Sequence, residues 1–254
     1  RPRHDVVMMF KVLVLQRYYN LGDEQTEIQI ADRLSFQQFV GLTLADKVPD
    51  EKTIWLFRNE IGKGVRGLFD RFDRHLRAQG LVGKAGKIID ASFVDVPRQR
   101  NSREENEQIK NGEVPESFTK NENVLAQKDL DARWTKKGNE THYGYKDHVK
   151  AGSKGKLIED YVVTDASVHD SQATDDLVKK GDGEMHGDSA YRSKTIEEML
   201  ASKEVTSQIH ERAYRDKPLT EEQKLSNRAK SKIRARIEHI FGQMTQTMHD
   251  GLKL

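Results

Sequence analysis

The sequence predicts a mixed α/β fold: a sheet with both parallel and antiparallel strands, flanked by helices and preceded by an all-helical N-terminal domain. Three observations lead there. Residues 5 to about 79 carry only helix signals, Lys87 to Pro97 is a dense run of β-branched residues, and beyond about residue 141 strand and helix patterns alternate.

In order, Asp5 is placed to cap VVMMFKVLVLQRYY, Asp23 to cap EQTEIQIADRL, Ser35 to cap FQQFVGL and Asp50 to cap EKTIWLFRNEIG. Gly22, Gly41 and Gly62 punctuate the ends. Val6 to Leu15 is apolar almost all round and reads as the buried centre of this module, with Trp55 and Phe57 in its core. After Gly80 and Gly83 the pattern changes, and KIIDASFVDVP reads as a buried strand stopped by Pro97. Residues 98 to about 141 have few large apolar side chains and mixed charge, which predicts an insertion or mobile loop unable to bury a face. THYGYKDHVKAG and KLIEDYVVTDAS predict a hairpin turning at Ser153–Lys156. Then follow a short helix in DSQATDDLVKK capped by Asp170 or Ser171, a short strand ending near Asp188, a helix capped by Ser193, a strand in VTSQIH, and one long helix from about Thr220 to Met248. The expected domains are 1–80, helical, and 81–254, carrying the sheet with the insertion at about 98–141.

Composition narrows the function. With no cysteine, disulfides, thiolate metal sites and a cysteine nucleophile are excluded. The net charge of +2 does not announce a nucleic-acid binder, so local clustering must carry that argument. The longest apolar run is interrupted by Lys11 and too short to span a bilayer, and it lacks a signal-peptide cleavage site; a cytoplasmic protein with no membrane partner is expected. The chain begins with Arg1 instead of Met and stops soon after the last helix, so native termini are not assumed.

The strongest cluster is on that last helix. Lys224, Arg228, Lys230, Lys232, Arg234 and Arg236 follow one another with no acid between Gln223 and Ile237, and then comes Glu238 beside the apolar stripe Ile233, Ile237, Ile240, Phe241, Met244 and Met248. Two further acids are conspicuous by location. Asp90 lies within an apolar strand, where a carboxylate is costly without a partner or metal. Asp188 lies where a short strand gives way to a helix, and strand ends are where ligands collect in such sheets. Singly, each has a plainer reading: an edge position, a helix cap, an i,i+4 pair of Glu238 with Arg234. Jointly, a first strand, a later strand end and a final helix can converge on a pair of hard divalent cations such as magnesium or manganese. The basic residues before Glu238 would then hold a phosphate backbone.

IIDASFVDVP around Asp90, GYKDHV at Gly144–Val149, VHDSQ at Val168–Gln172, GDSAYRS at Gly187–Ser193 and RARIEHIFGQ at Arg234–Gln243 together resemble the DDE transposases of bacterial insertion sequences, specifically the insertion-sequence-five family. Leu34 to Ile61 resembles the helical domain that precedes the catalytic domain there. The resemblance implies a ribonuclease-H-like mixed sheet, with Asp90, Asp188 and Glu238 as catalytic and metal-binding residues for Mg2+ (Mn2+ substituting), two ions in the active complex. It implies cleavage at transposon ends, with water as first nucleophile, and joining of the 3′-hydroxyls to target DNA. The implied partners are double-stranded DNA, both terminal inverted repeats and target, and further copies of the chain in a dimer or larger complex, in a nucleoid-associated setting. The N-terminal domain would bind ends or dimerise. Of the family's Tyr, Arg, Glu, Lys signature, Arg234 and Glu238 fit, while Ser231 and Thr245 stand at the Tyr and Lys positions, which questions a hairpin route. The alternatives are a catalytically silent DNA-binding descendant and a ribonuclease-H-like nuclease without strand transfer.

Candidate DNA contacts are Arg228, Lys230, Lys232, Arg234 and Arg236, with Arg192 beside Tyr191 at a helix start. Lys146 and His148 read either as approaching DNA or the metal site or as a strand-surface pair beside tyrosines. His169 and Asp170 read as a helix cap, and His239 as pointing away from the face of Glu238. Trp134, in the polar insertion, reads as anchoring it to the body, with stacking on DNA as the alternative.

Overall fold

The structure is a computed structural model and describes residues 4–83, 85–96, 99–215 and 217–247. Pro97 and Met248, expected to end a strand and a helix, lie outside the described residues. The chain divides into two compact units, one of residues 4–79 with 243–247, the other of residues 80–242.

The first unit holds α1 (Val6–Tyr18), α2 (Asp23–Asp32), α3 (Leu34–Val40), α4 (Glu51–Gly62) and α5 (Val65–Ala78). Asp5 caps α1 by accepting from the Met8 N–H at 2.8 Å, and Asp50 caps α4 through the Thr53 N–H at 2.7 Å. Met8, Met9, Val12 and Leu15 of α1 meet Ile30, Phe36, Val40 and Ile54 in one core. Only that face of α1 is covered: Val6, Val7, Phe10 and Val14 are exposed, so α1 is not buried all round as its apolar run suggests. Trp55 is likewise exposed, while Phe57 packs against the core. Two expected caps are displaced. Gly22 precedes α2, and Asp23 turns its carboxylate to Arg58 and Gln16; hydrogen bonding from Arg58 holds it below the usual carboxylate range. Arg33, not a serine, precedes α3.

The second unit is built on a six-stranded mixed sheet in the order β2-β3-β1-β5-β6, with β4 also pairing β3. Its strands are β1 (Lys87–Asp95), β2 (Arg133–Lys137), β3 (Glu140–Gly152), β4 (Ile158–Asp165), β5 (Glu184–Gly187) and β6 (Thr206–Ile209). The pairs β1–β3, β2–β3 and β3–β4 are antiparallel, and β1–β5 and β5–β6 are parallel. This mixed sheet flanked by helices is consistent with a ribonuclease-H-like fold. The β3–β4 hairpin turns at residues 153–155. One sheet face packs Ile89, Met185 and Ile209 against Leu177, Tyr191, Ile196 and Leu200 from α9 (Thr174–Leu177), α10 (Lys194–Ser202) and the turn before it.

The segment expected as a loop is instead folded. It contains α6 (Arg103–Lys110), α7 (Glu116–Thr119), α8 (Glu122–Gln127) and β2. Local hydrogen bonding and a few anchors replace a broad apolar face. Ser102 and Glu105 form a capping box on α6, Phe118 is fully buried, and Asn106 donates to the Ala132 carbonyl at 3.0 Å. Trp134 is an anchor: its indole N–H donates to the Asn101 carbonyl at 2.9 Å and its ring lies 4.8 Å from that of Tyr143. The final helix, α11 (Glu221–Thr247), is started by reciprocal bonds between Thr220 and Gln223.

Candidate active site

Two strand ends line up with a position inside β1. The parallel pairing of β1 with β5 matches Ile88 to His186, and two residues further on stand Asp90 and Asp188. The pairing of β5 with β6 matches Gly187 to Ile209, and one residue further stand Asp188 and His210. The His210 N–H donates to the Gly187 carbonyl at 3.1 Å, which continues the match past the strands. Gly187 makes the approach possible: a Cβ there would lie 3.3 Å from the Tyr191 ring and 3.4 Å from Ile89. Asp90, Asp188 and His210 thus form a row across β1, β5 and β6, at the carboxyl ends of the parallel strands β5 and β6.

Within the second unit, α11 is pinned along that row by polar contacts. Asn227 exchanges hydrogen bonds with the backbone of Glu211, at 2.8 and 3.0 Å. Lys230 donates to the Ile209 carbonyl at 2.9 Å, and Ser231 Oγ lies 3.3 Å from His210 Nε2. One turn later, Arg234 Nη1 donates to Asp90 Oδ2 at 2.8 Å and Nη2 to Glu238 Oε1 at 3.2 Å. One guanidinium therefore joins a strand carboxylate to a helix carboxylate 148 positions away in the chain. The plain i,i+4 pair of Arg234 with Glu238 exists, but it extends to Asp90.

The three acids differ in setting. Asp90 is 17% exposed, and its Oδ1 accepts from the Ala91 N–H at 2.9 Å. Burial pushes its carboxyl above the ordinary range, the charge of Asp188 adds to that, and the Ala91 N–H and Arg234 oppose it. Asp188 caps the turn Ser189–Tyr191 through Oδ1, which accepts from the Ala190 N–H at 2.7 Å. Glu238 is 63% exposed. Among the described residues, no three His, Cys, Asp or Glu side chains already form a metal cage. What exists is two electrostatically coupled aspartates and a glutamate drawn in by a shared arginine.

The other expected DNA contacts separate into three groups. Arg228 and Lys232 are exposed and form no ion pair among the described residues. Lys230, Arg236 and Arg192 are engaged with protein: Lys230 as above, Arg236 on the Ser153 carbonyl, Arg192 on Glu197 and Glu211 at 3.3 and 3.2 Å. Lys146 and His148 are not at the surface. Lys146 donates to the Val168 carbonyl and Asp170 at 2.7 and 2.9 Å, and His148 is fully buried against Thr164. Their alternate positions on β3 turn them onto the face covered by the segment around Asp170, which strand pattern alone could not assign. The cap of that segment is His169, with Asp170 serving Lys146.

His210 escaped the sequence reading. Its one signal is its place as the last residue of VTSQIH, just past a short strand. Burial, followed by the charges of Arg234 and Lys230, lowers its pKa and favours the neutral ring.

Residues 83–253 match a family model described as Transposase DDE domain, and residues 1–60 match a second described as Transposase domain (DUF772). No solved structure matches the chain. With a mixed sheet that sets Asp90 and Asp188 in register beneath a helix bearing Glu238, and with the first match spanning well over half its length, the chain belongs to the DDE-domain transposase family.

Proposed function

We propose that the chain is an insertion-sequence transposase of the insertion-sequence-five type that cleaves phosphodiester bonds at transposon ends and joins the 3′-hydroxyl ends to target DNA. The observation that carries this reading is the in-register pair Asp90 and Asp188 with Glu238 drawn to Asp90 by Arg234, inside a DDE domain. Transposases of this family generally use divalent metal ions. The donor set here suits a hard cation, since it offers carboxylate oxygens and no thiolate. The region also demands positive charge, a demand that Arg234 meets for two of the three acids. Asp90, Asp188 and Glu238 are the residues that would hold Mg2+, with Mn2+ as a substitute and two ions in the working complex. Bound there, the ions supply charge neutralisation of the attacking and leaving oxygens.

The remaining work belongs to side chains. Arg228 and Lys232, exposed on α11, would grip the DNA backbone, and the rigid helix fixes their distance to Glu238. Arg234, once relieved of Asp90, would turn its fork to a phosphate oxygen. Catalysis is positioning plus electrostatics, with water and then the 3′-hydroxyl as nucleophiles. The helical unit of residues 1–80 would recognise ends or hold copies of the chain together, for which exposed Val65, Leu68 and Phe72 on α5 offer apolar surface. The active form would be a dimer or larger complex on paired inverted repeats, at the nucleoid in the cytoplasm; among the described residues, no helix is long and apolar enough to cross a membrane.

Asp90→Asn, Asp188→Asn and Glu238→Gln are each expected to lower magnesium-dependent end cleavage by about 10²-fold or more, with duplex binding retained, and chelation should do the same to the wild type. Undiminished cleavage by any one of the three rejects its assignment.

A further inference from the structure

A cleft of about 350 Å³ opens between α6 and β2, within the range of small-ligand sites. Its wall is strongly basic. Arg103, Lys110, Arg133 and Lys136 line it against a single acid, Glu107, a balance of +3. Other cations of the second unit are paired one by one with acids, as in Lys87 with Glu159, Lys150 with Asp182 and Lys180 with Glu204. Here Arg103, Lys110 and Lys136 are exposed and form no ion pair among the described residues. Clustering unpaired cations in one concavity is unfavourable unless an anion is brought to them. The wall is also rigid: Arg133 donates to the Leu130 and Ala132 carbonyls at 2.6 and 3.0 Å, and Trp134 is held by Asn101.

The sheet relates this cleft to the acidic row. Trp134 and Lys136 of β2 stand opposite Tyr143 and Thr141 of β3, and Asp90 of β1 stands opposite Val149. Positions 141, 143 and 149 are an even number of residues apart, so Trp134, Lys136 and Asp90 share one sheet face. Along β3, Val149 opposite Asp90 is five residues from Gly144 opposite Arg133 and eight from Thr141 opposite Lys136, roughly 17–27 Å of strand. That is the length of about five to eight base pairs of duplex.

We propose that the cleft between α6 and β2 is a second DNA-binding site, which takes the phosphodiester backbone of the duplex about five to eight base pairs from the bond positioned at Asp90. The contacts are sequence-independent: they set the register and direction of the strand, not its base sequence. Trp134 lines the cleft, with its indole N–H on the Asn101 carbonyl and its ring against Tyr143. The inference rests on DNA being the substrate of the acidic row, but its test is separable from that reading.

The full-length protein is incubated with a transposon-end duplex, and lysine acylation is followed at Lys110 and Lys136 by mass spectrometry. DNA is expected to slow modification at both, whereas duplex RNA or inorganic phosphate at equal phosphate concentration does not. In parallel, Arg103→Gln, Lys110→Gln and Lys136→Gln are combined, and duplex affinity is measured by anisotropy at several salt concentrations. Affinity should fall by about tenfold or more, and the slope of log K against log salt should shrink by about 0.9 for each phosphate contact removed. Unchanged modification of both lysines at saturating DNA, or equal protection by RNA or by phosphate, overturns the proposal. So does a folded triple variant with unchanged affinity and slope. If the variant does not fold, protection in the wild type decides. Normal end cleavage without lysine protection sinks the cleft alone; protection in a chain that cuts no DNA sinks the transposase reading alone.

Discussion

At the scale of single residues, cost shows where the fold has been asked to do something beyond packing. Asp147 is an example outside the acidic row. Its Oδ1 is buried with no hydrogen-bond partner among the described residues, and burial raises its pKa from 3.8 to about 6. A raised acid favours the folded state when protonated. The cost is therefore absent below pH 3.8, grows as pH rises between the two values, and is complete above pH 6, where it reaches roughly 3 kcal/mol. Asp147→Asn keeps the shape and removes the charge. Thermal melts should show the variant more stable than wild type at pH 7.5, with the difference vanishing near pH 4; equal melting at pH 7.5 would count against this account. Burial raises the pKa of Asp90 as well, but there the Ala91 N–H and the Arg234 guanidinium oppose the rise, whereas burial alone acts on Asp147.

At the scale of elements, buried ion pairs fasten the strands to one another. Lys87 opens β1, and its ammonium contacts both oxygens of Glu159 on β4 at 2.7 and 2.8 Å, with side-chain exposures of 4% and 1%. Removing one member leaves a buried charge without its main counterion. Lys87→Met should destabilise the protein by about 3–5 kcal/mol, whereas the double variant Lys87→Met, Glu159→Leu should recover most of it. Urea unfolding of the single and double variants measures both; a single variant as stable as wild type would refute the claim. These pairs also explain why element type was easier to read than element environment. The hairpin, the β-branched first strand, the Asp5, Asp50 and Ser193 caps and the long basic helix all follow from local pattern. The folded insertion did not, because its order rests on single anchors, Phe118, Asn106 and Trp134, whose partners lie up to 33 residues away.

At the scale of the whole molecule, two cores imply two cooperative units. Ile30 and Ile54 are fully buried in the first, and Leu200 and Met185 in the second. Ile30→Ala and Leu200→Ala should each cost about 2–5 kcal/mol, and each should displace a different transition in differential scanning calorimetry. A common shift of a single transition in both variants would show that the chain melts as one body.

A helical module before a mixed sheet, three acids in a strand, at a strand end and on a late helix, and a run of cations on that helix are all legible in the residues alone. These are properties of local periodicity, capping and residue type, which act over a few neighbours. Folding is what lets Arg234 bridge Asp90 and Glu238, brings His210 into the row, turns Lys146 and His148 inward and gathers four cations beside Trp134. Each depends on which strands pair and in what register, and a one-residue change in register sends every side chain of a strand to the opposite face.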